Sequence, residues 1–237
     1  MTAAPFLSLI VPAYNEAATI RAVIDSLKGL DARIGAPVEI IVVDDASTDG
    51  TGDILPPLAD NGMIRLIAHP KNRGKGAAVR SGIAAAAGEW ILFQDADLEY
   101  DPADIPALVA AARNGADIVN GSRFIAGNDG ATFLHIAANR SLSFFSRVLT
   151  GLPITDMETC YKLVRAELLK SLDLHEERFG IEPEITLKLA RLAKRDGLRY
   201  AEVPISYKPR SYAEGKKVGL KDGLRALYCL AHYRWGG

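Results

Sequence analysis

The chain has 237 residues, of which 49% are hydrophobic and 24% charged, values typical of one soluble globular domain and not of a disordered, collagen-like or coiled-coil chain. Its 28 basic and 29 acidic residues leave a net charge of −1, so the overall charge does not point to nucleic acid. Residues 191–237 hold 11 Lys or Arg against 4 Asp or Glu, and this basic end favours an anionic surface or ligand.

Short β-rich runs alternate with longer helical patterns through the first half of the chain. We predict strands over Phe6–Val11, Val38–Val43, Ile64–Ala68, Trp90–Phe93 and Ala116–Asn120. We predict helices over Glu16–Leu30 with Asn15 as its cap, from Thr51 to a stop near Pro56-Pro57, over Lys75–Ala87 and over Pro102–Arg113. This order predicts right-handed crossovers and an α/β fold with a mostly parallel sheet flanked by helices.

The second half of the chain is less regular. Helical patterns cover Thr132–Thr150, Glu182–Lys194 and Lys217–Arg234, and a strand pattern covers Tyr200–Ile205. Arg210–Lys217 is polar with one glycine and has the composition of a mobile loop.

Two of these helices carry apolar stripes that face either the protein core or a membrane. In the last helix the stripe is formed by Leu220, Leu224, Leu227, Tyr228, Ala231 and Trp235, beside the basic positions Lys217, Lys221 and Arg225. In Thr132–Thr150 the apolar positions are Phe133, Ala137, Phe144, Phe145, Val148 and Leu149. A basic amphipathic helix that ends in Trp suits an anionic lipid surface.

Polar residues cluster where the predicted strands end. The clusters are Tyr14-Asn15-Glu16, Asp44-Asp45, Gln94-Asp95-Ala96-Asp97 and Gly121-Ser122-Arg123. Because ligands of such sheets bind beyond the carboxyl ends of the strands, we predict a binding site at this edge.

Asp95 and Asp97 lie two residues apart at a strand end, so their side chains point the same way. Two carboxylates that close repel each other unless a cation lies between them. Hard oxygen ligands suit Mg²⁺ or Mn²⁺, which commonly bridge to substrate phosphates, and Glu99 offers a third oxygen donor. The other interpretation is a solvated acidic loop.

Two further segments allow either a ligand or a purely structural role. Asp45 can accept hydrogen bonds from a base or a ribose, or it caps the next helix. In Asn72-Arg73-Gly74-Lys75-Gly76, small glycines and a Lys before a helix favour an anion, unless Lys75 is simply solvated. Walker A and Gly-x-Gly-x-x-Gly patterns are absent, which weighs against a dinucleotide dehydrogenase.

Four arginines, Arg123, Arg140, Arg147 and Arg210, are candidate phosphate ligands, because the guanidinium fork suits phosphate oxygens. Most arginines, however, are simply surface residues. The four histidines show no zinc-site spacing, so we expect structural or surface roles for them.

Together these motifs make the chain resemble the family 2 glycosyltransferases with the GT-A fold, in particular the polyprenyl-phosphate (dolichyl-phosphate) mannosyl- and glucosyltransferase branch. The matching strings are 11–16, 42–51, 72–76, 94–98, 121–123 and 155–162. The resemblance implies a single GT-A domain over residues 1–237, with a nucleotide-sugar-binding half over 1–125 and a half over 126–237 that faces acceptor and membrane with its C-terminal helices.

The resemblance also implies roles for individual residues. The nucleotide sugar would be held by Pro12, Tyr14, Glu16, Asp45, Lys75, Gln94, Asp95 and Ala96. A divalent Mg²⁺ or Mn²⁺ would be held by Asp95 and Asp97, with Glu99 at a position where the branch often has Gln. Arg123 and Arg140 match residues that receive the acceptor phosphate, and Arg210 matches one near the donor phosphates; with Asp97 these form the implied catalytic set.

The implied reaction is an inverting, metal-dependent transfer of a hexose from GDP-mannose or UDP-glucose to a polyprenyl phosphate. That acceptor is already an anion near pH 7, so catalysis consists of positioning and charge neutralisation. An alternative is a saccharide or other soluble acceptor, whose hydroxyl needs a carboxylate base such as Asp156. A third hypothesis is a nucleotide-binding or membrane-docking module without turnover, against which the Asp95–Asp97 pair argues.

The cellular location is also an expectation from the sequence. Cys160 and Cys229 give no disulfide framework, which favours a reducing compartment. No signal-peptide pattern and no run of 18 apolar residues is present. We therefore expect a cytoplasmic protein bound peripherally to the cytoplasmic membrane face, with a membrane-anchoring subunit as a further candidate partner.

Overall fold

The computed structural model describes residues 4–125, 133–210 and 220–234. The strands of its sheet are β1 Leu7–Ala13, β2 Val38–Asp44, β3 Arg65–Ala68, β4 Trp90–Phe93, β5 Ile118–Ser122, β6 Lys162–Arg165 and β7 Tyr200–Pro204. The helices in the described ranges are α1 Ile20–Ser26, α2 Leu30–Ile34, α3 Thr51–Asp60, α4 Lys75–Ala85, α5 Ile105–Arg113, α6 Phe133–Thr150, α7 Ala166–Ser171, α8 Ile181–Asp196 and α9 Leu220–Arg234. A 3₁₀ turn over Pro102–Asp104 precedes α5.

The seven strands form one sheet in the order β3-β2-β1-β4-β6-β5-β7. All neighbouring pairs are parallel except those of β6, which runs antiparallel to both β4 and β5. The apolar runs of β1 and β4 are almost wholly buried, and that of β2 is buried from Ile41 onward, as expected of strands covered by helices on both faces. The predicted mixed α/β fold is confirmed.

The helical pattern over Glu16–Leu30 is two helices in the structure. Gly29 adopts a left-handed conformation with φ of 69° that separates α1 from α2. Asn15 does not cap α1, because it too has a positive φ, of 50°, and its Oδ1 accepts a hydrogen bond from the Thr48 N–H at 2.7 Å. The predicted cap is wrong, and Asn15 instead links the β1 and β2 loops.

The predicted stop of α3 near Pro56-Pro57 is also wrong, because the helix continues to Asp60 with both prolines inside it. Each proline removes one helical hydrogen bond. Leu55 and Leu58 are buried in the main core, and we attribute the persistence of the helix to this packing.

Two elements, β6 and α7, lie in a stretch where the sequence predicts neither. β6 has only four residues, and Lys162 at its start interrupts the apolar run. Leu163 and Val164 are nevertheless fully buried, because β6 is inserted between β4 and β5 in the middle of the sheet.

A second, smaller core joins the later helices. It is formed by Leu142, Ile154, Met157, Leu187, Ala226, Cys229, Leu230 and Tyr233, so α6, α8 and α9 pack together through it. Leu149 of the predicted α6 stripe packs against this core. The other described positions of the apolar stripes predicted on α6 and α9 lie on a different face. The exposed fractions are 54% for Phe144, 50% for Phe145, 63% for Val148, 60% for Leu224, 45% for Leu227 and 50% for Tyr228.

We call these six residues the α6–α9 apolar face. The interpretation that their stripes face the protein core is wrong for these positions, since the core residues of both helices are other ones. Some of the predicted positions lie outside what the structure describes. They are Lys217 and Trp235, residues 211–217 of the predicted loop, and the side chains of Phe133, Ala137, Leu220 and Lys221.

Candidate active site

The loops after β1 and β2 form one wall of the site. The Asn15 N–H donates to Ser47 Oγ at 2.9 Å and the Glu16 N–H donates to Thr51 Oγ1 at 2.9 Å. Parallel pairing of Ala13 with Asp44 brings the two loops to the same sheet edge. Pro12 and Tyr14, both half-buried, lie at this edge, and their role in donor binding stays a prediction.

Asp45 is buried and binds protein groups. It accepts hydrogen bonds from the backbone N–H groups of Arg73 at 2.9 Å and Gly74 at 2.6 Å. It also contacts His69 Nδ1 at 2.6 Å. The capping alternative is wrong, because the residue before α3 is Gly50. In this structure Asp45 fixes the segment that leads into α4.

The N-terminus of α4 is covered by protein. The Ala77 N–H donates to the Glu177 carbonyl, and a Cβ at Gly74 or Gly76 would collide with the backbone of Glu176 and Glu177. These glycines therefore allow two chain segments to touch, and in this structure the start of α4 packs against protein. An anion site there stays a prediction.

Lys75 itself is largely buried between two carboxylates. Its Nζ lies 2.8 Å from Asp95 Oδ1 and 2.7 Å from Glu182 Oε1. Burial opposes the charge, but these carboxylates raise the pKa of Lys75 well above its usual value. Burial acts to raise the pKa of Asp95, but the charge and hydrogen bond of Lys75, with a hydrogen bond from Cys160 and the charge of Arg210, together lower it. Lys75 is thus not simply solvated, and in this structure it fixes Asp95.

The loop after β4 carries the predicted donor and metal residues. Gln94 has no exposed surface, and its Oε1 accepts a hydrogen bond from the Tyr161 hydroxyl at 2.7 Å. The Ala96 carbonyl accepts a hydrogen bond from Thr19 Oγ1 at 2.9 Å. Gln94 and Ala96 therefore hold the loop from inside the protein, while Asp95 and Asp97 face the site.

Arg210 lies among three acidic side chains. Its Nη2 is 2.6 Å from Asp97 Oδ2, its Nη1 is 3.1 Å from Glu16 Oε2, and its Nε is 3.7 Å from Glu99 Oε1. Glu99 also accepts hydrogen bonds from the Arg210 N–H and the Tyr207 hydroxyl, both at 2.8 Å. Both Glu99 oxygens therefore anchor the segment that carries Arg210.

The predicted metal ligands are not brought together as one set. Asp95 turns to Lys75, whereas Asp97 and Glu99 contact Arg210. Among the described residues no three His, Cys, Asp or Glu side chains form a metal-binding group.

The charges of this region nevertheless fit a divalent cation. Burial, followed by repulsion from Asp95 and Glu99, raises the pKa of Asp97 to about 7. Carboxylate oxygens are the donors that Mg²⁺ and Mn²⁺ prefer, and Arg210 already places a cation against Asp97.

Arg123 lies close to the segment that carries Arg210, with its guanidinium carbon 4.8 Å from the centre of the Tyr207 ring. The buried guanidinium of Arg123 makes two contacts of 2.7 Å with Asp156, which is itself fully buried. The guanidinium carbons of Arg123 and Arg140 lie 5.7 and 5.6 Å from the centre of the Phe124 ring. Phe124 therefore brings the two predicted acceptor arginines together, and Arg140 is exposed. Arg147 is exposed as well.

Glu158 is a residue of this region that the sequence does not single out. Burial and repulsion from Glu182 raise its pKa to about 7, and its Oε1 makes no hydrogen bond. Only its position inside the 155–162 string could have drawn attention to it.

Comparisons with known proteins agree with this fold. The family model of glycosyl transferase family 2 matches residues 8–173. The chain is 30% identical over 239 residues to a dolichol-phosphate mannosyltransferase of Pyrococcus furiosus, with 98% of this chain and 64% of that protein covered. It is 31% identical over 242 residues to an undecaprenyl-phosphate mannosyltransferase of Micrococcus luteus, with 96% and 92% covered.

A solved structure shows the same fold. Glucosyl-3-phosphoglycerate synthase from Mycobacterium tuberculosis, in complex with Mn²⁺, UDP and glucosyl-3-phosphoglycerate, matches with a TM-score of 0.72 at 22% identity over 98% of this chain and 80% of that chain. Within the described ranges no helix is long and apolar enough to cross a membrane. Since the family model covers more than half of the sequence, the chain belongs to glycosyl transferase family 2.

Proposed function

We propose that the chain transfers a hexose from a nucleotide sugar, GDP-mannose or UDP-glucose, to a polyprenyl phosphate, with inversion at the anomeric carbon. The relatives from Pyrococcus furiosus and Micrococcus luteus are named for dolichol phosphate and undecaprenyl phosphate. The chain spans only 64% of the first of these proteins, so acceptor and donor are argued from the site as well.

The observation that carries the proposal is the pairing of Asp156 with Arg123. A hydroxyl acceptor needs a carboxylate base, and Asp156 was the candidate. Both of its oxygens accept hydrogen bonds from the Arg123 guanidinium, and it has no exposed surface. A phosphate acceptor needs no such base, and the exposed Arg140 beside Phe124 offers it a cation.

The donor side is proposed around the loops after β1 and β4. Asp95 and Asp97 would hold a divalent ion, which as a Lewis acid stabilises the departing nucleoside diphosphate. Lys75 keeps Asp95 ionised and in place. Pro12, Tyr14, Glu16 and Asp45 stay the proposed nucleoside-side residues, with Asp45 acting through the 72–74 segment that it binds.

A soluble or saccharide acceptor is the second candidate, and one observation favours it. Glu158 has a pKa raised to about 7 and an oxygen without a hydrogen bond, the properties of a group able to accept a proton at neutral pH. On this alternative, Glu158→Gln abolishes transfer to a hydroxyl acceptor.

The α6–α9 apolar face supports peripheral binding to a membrane. Monomeric soluble proteins rarely expose such a concentration of large apolar side chains without a partner. Arg140, Arg147 and Arg225 lie on the same two helices with exposed side chains, so the face has basic neighbours that suit anionic lipid. We propose that residues 126–237 face the acceptor and the cytoplasmic side of a membrane.

The test is transfer of a radiolabelled sugar by the purified chain. GDP-mannose and UDP-glucose are offered separately with Mn²⁺ or Mg²⁺, with and without polyprenyl phosphate, and label is counted in the organic phase. We expect lipid label with one donor, and its loss in Asp97→Ala but not in Asp60→Ala, which removes an exposed acid at the end of α3. Label that enters only a water-soluble product would contradict the proposed acceptor.

A further inference from the structure

Arg210 sits where a cation bound to Asp97 has to sit. Its Nη2 lies 2.6 Å from Asp97 Oδ2, and the same nitrogen lies 3.4 Å from Glu16 Oε1. The Nη1 lies 3.1 Å from Glu16 Oε2, and the buried Nε makes no hydrogen bond although Glu99 is 3.7 Å away. One positive charge therefore faces three carboxylates.

The backbone of this segment is held independently of the guanidinium. The N–H groups of Lys208 and Arg210 donate to the Glu99 carbonyl at 2.9 Å and to Glu99 Oε1 at 2.8 Å. The Tyr207 hydroxyl donates to Glu99 Oε2 at 2.8 Å, and Tyr100 and Tyr207 form an isolated β-bridge. The Arg210 side chain can consequently rotate away while its Cα stays in place.

A divalent ion and this guanidinium compete for the same oxygen. Asp97 Oδ2 cannot take a metal at the roughly 2.0–2.1 Å expected of Mg²⁺ while Nη2 lies 2.6 Å from it, because the two cations would repel strongly at that separation. Asp95 does not face this conflict with Arg210, since its partner is Lys75.

We propose that Arg210 is a built-in substitute for the divalent cation: it neutralises Glu16, Asp97 and Glu99 when no metal is bound, and the metal must displace it from Asp97. This inference rests on the proposed metal role of Asp97. When the metal displaces Arg210 from Asp97, the Arg210 guanidinium becomes available to bind a phosphate. Metal binding and the release of this arginine are therefore one event. Competition lowers the apparent affinity for the metal in the absence of donor.

The experiment measures Mn²⁺ binding to the full chain without nucleotide sugar, by electron paramagnetic resonance of free Mn²⁺. We expect Arg210→Gln to bind Mn²⁺ about tenfold more tightly than the parent chain, a usual size for coupling between two sites. Arg210→Lys keeps the charge and stays close to the parent. The matched control is Arg195→Gln, because Arg195 is exposed and pairs with neighbouring Asp196.

Thermal unfolding provides the second readout. Arg210→Gln leaves three acids facing each other, so we expect a lower melting temperature than the parent in chelator and a larger upward shift with Mn²⁺ than the parent shows. Suppose that a folded Arg210→Gln binds Mn²⁺ no more tightly than the parent, and that Asp97→Ala abolishes the binding seen in the parent. The metal role of Asp97 then stands, and only the substitute role of Arg210 is overturned. If neither the parent nor Arg210→Gln binds Mn²⁺, the metal role of Asp97 fails, and this inference fails with it. Binding by Arg210→Gln alone supports the substitute role.

Discussion

At the scale of single residues, Glu158 gives the clearest dependence on pH. Its pKa in the folded chain is about 7, against an ordinary value of 4.5, so between these values the folded state holds a proton that the unfolded chain has released. The stability from this group is therefore complete below about pH 4.5 and is lost as pH rises towards 7, by at most about 1.4 kcal/mol per pH unit.

Glu158→Gln removes this ionisation. We expect the variant to gain stability relative to the parent as pH rises from 5 to 7, with a constant difference above pH 8. Urea unfolding across this pH range measures the difference, and Glu177→Gln, at an exposed acid, is the control. A difference that stays flat or falls with pH would show that Glu158 ionises normally in the folded protein.

The sequence predicts which residues form the site better than it predicts how those residues are arranged. Strand ends and carboxylate spacing indicate Asp95 and Asp97, and the structure links Asp97 through Arg210 to Glu16 in the loop after β1. The partners could not be predicted, because Lys75, Arg123 and Arg210 reach their carboxylates across 20, 33 and 113 positions of the sequence. Such pairs depend on the tertiary fold, which no local pattern contains.

At the scale of elements, the start of α4 is a packing junction. A Cβ on Gly76 would lie well inside van der Waals contact of the Glu176 carbonyl oxygen. We expect Gly76→Ala to lower the free energy of unfolding by about 1–3 kcal/mol, as overpacked sites do. We also expect it to reduce the rate of sugar transfer, because the adjacent Lys75 holds Asp95. Gly223→Ala in α9 has open space around the new methyl group and is expected to be neutral or to stabilise by up to about 1 kcal/mol. Urea unfolding of both variants checks this, and equal effects would contradict it.

The elements that the sequence predicted well are those whose local pattern agrees with the fold. β4 was predicted with its observed bounds, and its four residues are all buried. α3 and β6 differ because tertiary packing overrides local preference: buried leucines flank the prolines of α3, and β6 gains its place by pairing with β4 and β5. A short antiparallel strand inserted in a parallel sheet has no periodic signal of its own.

At the scale of the whole molecule, the apolar surface is segregated. Of the exposed large hydrophobic residues in the described ranges, six form the α6–α9 apolar face and only Leu98 and Ile125 lie elsewhere. Both helices bury their other side in the second core, which fixes the orientation of this face.

Glu176 also ties α9 to the rest of the chain through Arg225 Nη2 at 2.7 Å, and segment 176–177 packs on the start of α4. The helix proposed to touch lipid is thus connected to the donor side.

Substitutions on this face separate membrane binding from folding. We expect Phe144→Ser with Phe145→Ser to reduce co-flotation with anionic phosphatidylglycerol vesicles at least about tenfold, because each aromatic ring removed forfeits roughly 1.5–3 kcal/mol of apolar transfer. Unfolding free energy should change little, since both rings are half-exposed in the free chain. Leu98→Ser, at a residue 49% exposed outside the face, is the matched control for binding. If neither the double variant nor Leu98→Ser changes the fraction of protein that floats with the vesicles, α6 does not contact lipid. The exposed rings would then need a protein partner to cover them.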